Sequence, residues 1–460
     1  MTGEEREGRL SAGLATVLSE RCGTPVEVTD VLRLSGGASR ETWSFVARRP
    51  GGVDRPLVVQ RERAGGIRTG GGMAPEGRLL RAAAPAGVPV AEVVATDDGG
   101  DELGAPFIVM ERVEGETIPR RLLRDPGFEG ARPLIARQAG AALAAVHRID
   151  PDEVEGLHEQ DQVEQFRELL DALGEPHPAF ELGLRWLDAH RPAVGGRAVV
   201  HGDFRTGNLV VGPEGLRAVL DWELAHLGDP VEDLGWFCVR AWRFGSPHRA
   251  GGFGPVQELL DGYVAAGGRP VPVEALRWWE AMGTLKWGVM CIVQAAAHLS
   301  GASRSVELAA IGRRTAENEE DLLELVAGSD AYEPVPAGSG GPPASERAPH
   351  DRPTASELLE AVGEYLAEVR DGVPGRLGVP APVAGNVVAT VVRELELGPA
   401  QARDHAARLA ALGVDDDAAL AAGIRAGDFD DRLDEVTRAV RASVRDKLAV
   451  AHPGYWGHAS

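Results

Sequence analysis

His201-Gly-Asp203-Phe-Arg-Thr-Gly-Asn208, continued by Leu209-Val-Val and, after a turn, by Val219-Leu220-Asp221-Trp-Glu223, is the stretch that decides the fold. Its apolar runs at 209–211 and 216–220 flank Gly-Pro-Glu-Gly and predict a β-hairpin. A carboxylate five residues ahead of an amide, on a loop gripped by strands, can face an incoming hydroxyl while the amide faces a cation. A second carboxylate at the far end of the hairpin returns to the same spot. Asn208 and Asp221 then form a hard-oxygen pair that suits Mg²⁺, which leaves its other positions to water and phosphate. A lone His-x-Asp is common, and an Asp after a strand is often only a helix cap. Here both occur together, with the Asn at the right offset.

Working outward, Leu10, Leu14, Val17 and Leu18 predict an amphipathic helix over 9–22. Runs at 26–34, 41–47, 57–61, 90–96 and 106–112 read as strands of an antiparallel sheet, with a helix over 76–86 among them. From Arg132 the pattern turns helical, as in 135–147, and it returns to helix over 278–299 and 306–326. Residues 329–353 hold Pro, Gly, Ser and charge, and predict a flexible linker. Beyond it, Thr354-Ala-Ser-Glu357 fits a capping box ahead of a helical face through Leu358, Val362 and Leu366. Val387, Val391 and Leu395 mark a second helix, closed by Gly398-Pro399, and Val436, Val440 and Val444 mark the last. The fold class expected is α+β. Residues 1–113 form an N-terminal helix and a small antiparallel-sheet lobe, 114–328 a mainly helical lobe, 329–353 a linker, and 354–460 a separate all-helical domain.

The spacing His201-x-Asp203-x-x-x-x-Asn208 is that of the protein-kinase catalytic loop, with Asp221 where a second metal-binding Asp would stand. The run Asp221-Trp-Glu-Leu-Ala-His-Leu-Gly-Asp229-Pro-Val-Glu-Asp233-Leu-Gly-Trp236 resembles the aminoglycoside phosphotransferase superfamily of small-molecule kinases. With the following Val-Arg240-Ala-Trp-Arg243-Phe-Gly it is most similar to the branch associated with acyl-CoA dehydrogenases. The resemblance covers about residues 25–325. It implies a bilobal kinase fold, ATP and Mg²⁺, with Asp203 as catalytic base and Asn208 and Asp221 as metal ligands. His201 and Asp233 match positions that brace the loop. Gly36, Gly37 and Ser39 match the turn over the phosphates, and Glu111 and Val113 the interlobe hinge whose backbone reads adenine.

One departure from the family concerns charge. Lys286 and Lys447 are the only lysines, so the N-terminal strand that should carry a phosphate-gripping lysine has none. Arg61 is the substitute in Val58-Val-Gln60-Arg61, with Gln60 as the register alternative, and Glu76 matches its paired glutamate. Arg binds phosphate through a planar fork rather than as a point charge. Arg240 and Arg243 suit an anionic acceptor, for which the resemblance makes a hydroxyacyl-CoA a candidate. The competing class is a nucleotide-binding pseudokinase, acting through the C-terminal helices on a protein partner.

Composition bounds the rest. A net charge of −22 lacks the basic footprint that nucleic acid or an anionic membrane requires. Cys22, Cys238 and Cys291 are odd in number and far apart, which fits a reducing compartment. The acidic N-terminus has no apolar run of the signal-peptide kind, and no stretch is long enough to span a bilayer, so a cytoplasmic location is expected.

Overall fold

The computed structural model describes residues 3–34, 40–62, 72–99, 103–193, 195–328, 352–354, 357–359, 361, 362, 365 and 380–455. Gly36, Gly37, Ser39 and all but the last two residues of the 329–353 linker lie outside the described residues. The chain divides into two compact units, one of Met1–Gln160 with Ala193–Leu276, the other of Asp161–Pro192 with Arg277–Ser460.

In the first unit, β1 (Glu27–Leu34), β2 (Arg40–Arg48), β3 (Arg55–Glu62), β4 (Val93–Asp97) and β5 (Phe107–Glu111) pair antiparallel in the order β1-β2-β3-β5-β4. Alternation decides what each face carries. Trp43, Phe45, Leu57 and Val59 share one face, buried under the helix Gly3–Cys22 through Leu10, Leu14 and Leu18. The register Thr42↔Gln60 and Glu41↔Arg61 puts Thr42 and Gln60 on the other face and Arg61 on the face of Val59. The helix Met73–Ala83 starts three residues before Glu76, which is buried at 5% exposure. The rest of this unit holds β6 (Ala198–Val200) paired with β9 (His226–Gly228), and the hairpin of β7 (Leu209–Gly212) and β8 (Gly215–Val219). Helices Pro119–Arg124, Arg132–Val146, Val231–Cys238 and Val256–Ala265 also belong to it.

The second unit is helical in its described residues. Phe166, Phe180, Leu184, Met282 and Leu285 form one core among helices Gln162–Leu173, Pro178–Ala189 and Val273–Leu299. Residues 354–460, expected as a separate all-helical domain, are helical where described, and their core is shared. Leu409, Ile424, Val436 and Val444 pack with Leu182 and Leu323 of helices Pro178–Ala189 and Thr315–Ala327. The capping box forms, with the Glu357 carboxylate 2.6 Å from the Thr354 N–H. The stop expected at Gly398-Pro399 does not occur: one helix runs Pro380–Leu412 with Pro399 inside it. An interior proline costs about 3 kcal/mol, and burial at both ends offsets this. Val387 and Val391 pack on Val306 and Ala309, while Leu409 and Leu412 enter the core with Leu182.

Candidate active site

The loop between β6 and β7 is held from below by one buried carboxylate. Asp233, in the first turn of helix Val231–Cys238, accepts the backbone N–H groups of His201 at 2.8 Å and Gly202 at 2.9 Å, and meets His147 Nε2 at 3.0 Å. Burial works against its charge. The hydrogen bond and charge of His147, then His201 with its backbone N–H, nevertheless hold it below the usual carboxylate range. His201 is fully enclosed, and burial lowers its pKa, in keeping with an unprotonated Nδ1 that accepts a backbone N–H. Its Nε2 donates to the Leu220 carbonyl at 3.0 Å and its Nδ1 accepts the Asp203 N–H at 3.2 Å, tying the loop to the end of the hairpin. Gly202 has φ +76°, and a Cβ there would lie 2.3 Å from the Leu224 carbonyl oxygen, so only glycine fits between the two.

Asp203 is thereby aimed, and three donors fix its carboxylate. Arg205 Nε lies 3.1 Å from both oxygens, Trp236 Nε1 donates to Oδ1 at 3.1 Å, and Asn208 Nδ2 donates to Oδ2 at 2.6 Å. Asn208 Nδ2 also reaches the Asp203 carbonyl at 2.9 Å, leaving Oδ1 as its ligating end. Asp221 sits just past β8 in a left-handed conformation, φ 64°, uncommon for a residue with a side chain. Burial, then Glu223, Asp203 and Glu76, push its pKa up to about 7, against the pull of Arg40.

The cation that enters this carboxylate cluster is Arg40, at the start of β2. Its Nη1 makes a 2.6 Å charge contact with Glu76, and its Nε lies 3.3 Å from Glu223. The pairing of Arg61 with Glu76 expected from the sequence does not form. Arg61 points to the other face of the sheet, where it donates to Glu41 at 2.9 and 3.1 Å and to the Leu103 carbonyl at 3.0 Å. The reason is strand parity. Arg61 shares the face of Leu57 and Val59, while Gln60, the register alternative, lies opposite Thr42 on the face that carries Arg40.

The other expected residues fall as follows. Glu111 ends β5, with its carboxylate 2.6 Å from Arg55, and Val113 follows two residues on. Arg243 turns Nε and Nη2 onto the Cys238 carbonyl at 3.0 and 2.6 Å, capping helix Val231–Cys238, and Arg240 opens the next short turn. Sequence reasoning missed Arg40 and Arg205 as site residues, and it named Trp236 only as part of the family-like run, with no role at the site. The alternation of β2 and β3 was a usable signal for Arg40. Nothing in the one-dimensional pattern marks Trp236 as the partner of Asp203.

Among the described residues no group of three or more His, Cys, Asp or Glu side chains is arranged to hold a metal. The donor set fits Mg²⁺ in a different way. Two protein oxygens, from Asn208 and Asp221, are what an ion that keeps water and phosphate ligands uses. A divalent cation would also offset the burial and the neighbouring carboxylates that raise the Asp221 pKa.

A five-stranded antiparallel sheet joined to a loop and hairpin of this kind defines a protein-kinase-like fold. The chain belongs to the phosphotransferase enzyme family APH, whose family model matches residues 30–279; a domain of unknown function, DUF6285, matches residues 371–455. Acyl-CoA dehydrogenase family member 10 of Mus musculus is 31% identical over 202 residues, 41% of this chain and 18% of that protein. Probable acyl-CoA dehydrogenase IBR3 of Arabidopsis thaliana is 27% identical over 314 residues, 61% of this chain and 36% of that protein. The chain thus spans a minor part of the length of these relatives. A Ralstonia eutropha structure provisionally assigned as an aminoglycoside phosphotransferase shares the fold, with TM-score 0.54 and 23% identity over 69% of this chain and 98% of that one. Among the described residues no helix is long and apolar enough to cross a membrane.

Proposed function

We propose that the chain is an ATP- and Mg²⁺-dependent phosphotransferase that places the γ-phosphate on a hydroxyl of a small-molecule acceptor. The observation that carries this reading is the convergence of Asp203, Asn208 and Asp221 with the Arg40–Glu76–Glu223 cluster. Phosphoryl transfer has a loose transition state and depends on positioning and charge neutralisation. Asp203 serves as the base. Held by Arg205, Trp236 and Asn208, its carboxylate orients the acceptor hydroxyl and takes its proton late in the step. Asn208 and Asp221 would hold Mg²⁺, which when bound neutralises phosphate charge. Arg40, kept in place by Glu76 and Glu223, takes the phosphate-gripping role that the missing lysine leaves open. The backbone at Glu111 and Val113 is proposed to read adenine.

A hydroxyacyl-CoA is the proposed acceptor, supported by the acyl-CoA dehydrogenase names of the relatives. The C-terminal helices are proposed to dock a protein partner. The test is ATP turnover over a panel of hydroxyacyl-CoA thioesters and other hydroxylated metabolites. Asp203→Asn should keep ATP binding and lose about 10²–10⁴-fold in kcat, and Asp221→Asn should abolish Mg²⁺-dependent nucleotide binding in calorimetry. Nucleotide binding with no ADP release on any acceptor would replace this reading with that of a regulatory pseudokinase.

A further inference from the structure

A cavity of about 1070 Å³ opens in the first unit between the Pro119–Arg124 and Arg132–Val146 helices and residues 244–258. None of the proposed nucleotide and metal groups, Arg40, Glu76, Asn208 or Asp221, lines it. Its charge runs against that of the chain. Arg124, Arg132 and Arg137 line it with Glu129 and Glu258, a local excess of cation over anion in a protein of net charge −22. Arg132 is committed to the Leu122 and Asp125 carbonyls. Arg124 and Arg137 are exposed, and Arg137 makes a 3.4 Å surface pair with Glu258. Apolar side chains share the walls: Leu134 is 45% and Phe244 39% exposed, with Leu123 and Phe253 beside them. Phe244 stands in a left-handed conformation, φ 49°, an uncommon one for a bulky side chain.

The cavity is joined to the catalytic loop by contiguous contacts. The buried Thr206 hydroxyl lies 2.7 Å from the Gly251 carbonyl and 3.0 Å from the Trp242 carbonyl. The Trp242 ring lies 5.0 Å beneath the Arg205 guanidinium that holds Asp203. At Gly252, φ +84°, a Cβ would lie 2.8 Å from the Arg243 carbonyl oxygen, which keeps the wall thin at this point.

Cations interleaved with apolar side chains on the same two helices, around a volume large enough for a small-molecule ligand, select an anionic head joined to an apolar arm. We propose that this cavity binds an amphiphilic anion of that kind. Resting on the phosphotransferase reading above, it holds the part of the acceptor that does not react.

The probe is n-octyl phosphate, which has the head and the arm but neither adenine nor an acceptor hydroxyl. It is titrated into the full chain by calorimetry with the nucleotide site saturated by a non-hydrolysable ATP analogue. It should bind, and more tightly than inorganic phosphate. R124E/R137E should weaken it by at least about tenfold with the melting temperature kept, and Phe244→Gly should weaken octyl phosphate but not inorganic phosphate. No binding, or equal binding by R124E/R137E, overturns the site even if ATP turnover stands. Octyl phosphate binding as expected, with an acceptor KM unmoved in R124E/R137E, overturns the acceptor role. Turnover on no hydroxylated acceptor sinks the phosphotransferase reading, separately from whether octyl phosphate binds.

Discussion

Arg40 and Arg61 occupy neighbouring strands of one sheet, yet they face opposite sides of it, and their replacement should separate cleanly. Arg40 sits among Glu76, Glu223 and Asp221, so Arg40→Gln leaves a buried carboxylate unpaired. Removing one partner of a buried pair costs about 3–5 kcal/mol, and ATP affinity measured by calorimetry should fall at least about tenfold. Arg61→Gln removes a pair with Glu41 on the far face and should change ATP affinity by less than about threefold. A reversed order would return the phosphate role to Arg61. Glu320, in the second unit, supplies a pH test. Burial pushes its pKa up to about 7, with Asp321 and Glu324 adding to the rise and Arg445 and Arg441 opposing it. Its folded pKa stands above its unfolded value near 4.5, so the folded chain holds an extra proton between the two. Stability from this group therefore falls as pH rises from 4.5 to about 7, by at most about 3 kcal/mol. Glu320→Gln should match the wild-type melting temperature near pH 5 and exceed it at pH 8, as read by calorimetric scans.

At the scale of elements, the catalytic loop is a short segment suspended between strands, and its shape comes from outside it. Asp233 on helix Val231–Cys238 receives its amides, and His201 ties its start to the end of the hairpin. Asp233→Asn loses the charge that three donors converge on, and the introduced amide nitrogen meets donors where acceptors are needed. It should lower stability by about 3 kcal/mol or more and remove activity with it, whereas Asp203→Asn, whose carboxylate keeps 8% exposure and braces no backbone amide of another segment, should remove activity with a clearly smaller drop in melting temperature. The contrast, measured by thermal scans beside turnover, distinguishes a bracing carboxylate from one that reacts. Strand and helix identities here were legible in advance, because the short apolar runs of β2, β3 and β5 and the 3.6-residue spacing of Leu10, Leu14, Val17 and Leu18 are local properties. Gly398-Pro399 misled because a stop signal is also local, and the burial that overrides it lies at the two distant ends of the helix.

At the scale of the whole chain, residues 161–192 and 277–327 share a unit with the C-terminal helices. A truncation at residue 345 therefore takes away one side of a core. Leu323, fully buried, and Leu182, at 6% exposure, would lose their cover from Leu409, Ile424 and Val436. The truncated chain should aggregate on expression or be cleaved within 161–192 and 277–327 by limited proteolysis. A soluble chain that resists the protease there would mean the helices close their own core. Lys447 with Glu319, and Arg425 with Glu181 and Asp171, are among the polar ties that such a truncation would also cut.

By itself the order of residues determined the chemistry available to this protein: an Asp, an Asn and a second Asp at kinase-like spacing, a sheet ahead of them, and no lysine to grip a phosphate. Those are matters of covalent spacing and local periodicity, which a linear chain carries openly. Only tertiary structure decided that Arg40 rather than Arg61 enters the carboxylate cluster, that Trp236 and Arg205 hold Asp203, and that the C-terminal helices share a core with residues 178–189. Each of these joins side chains through strand parity or long-range packing, and a hydrogen bond or buried contact of that kind forms only once the chain has brought distant segments together.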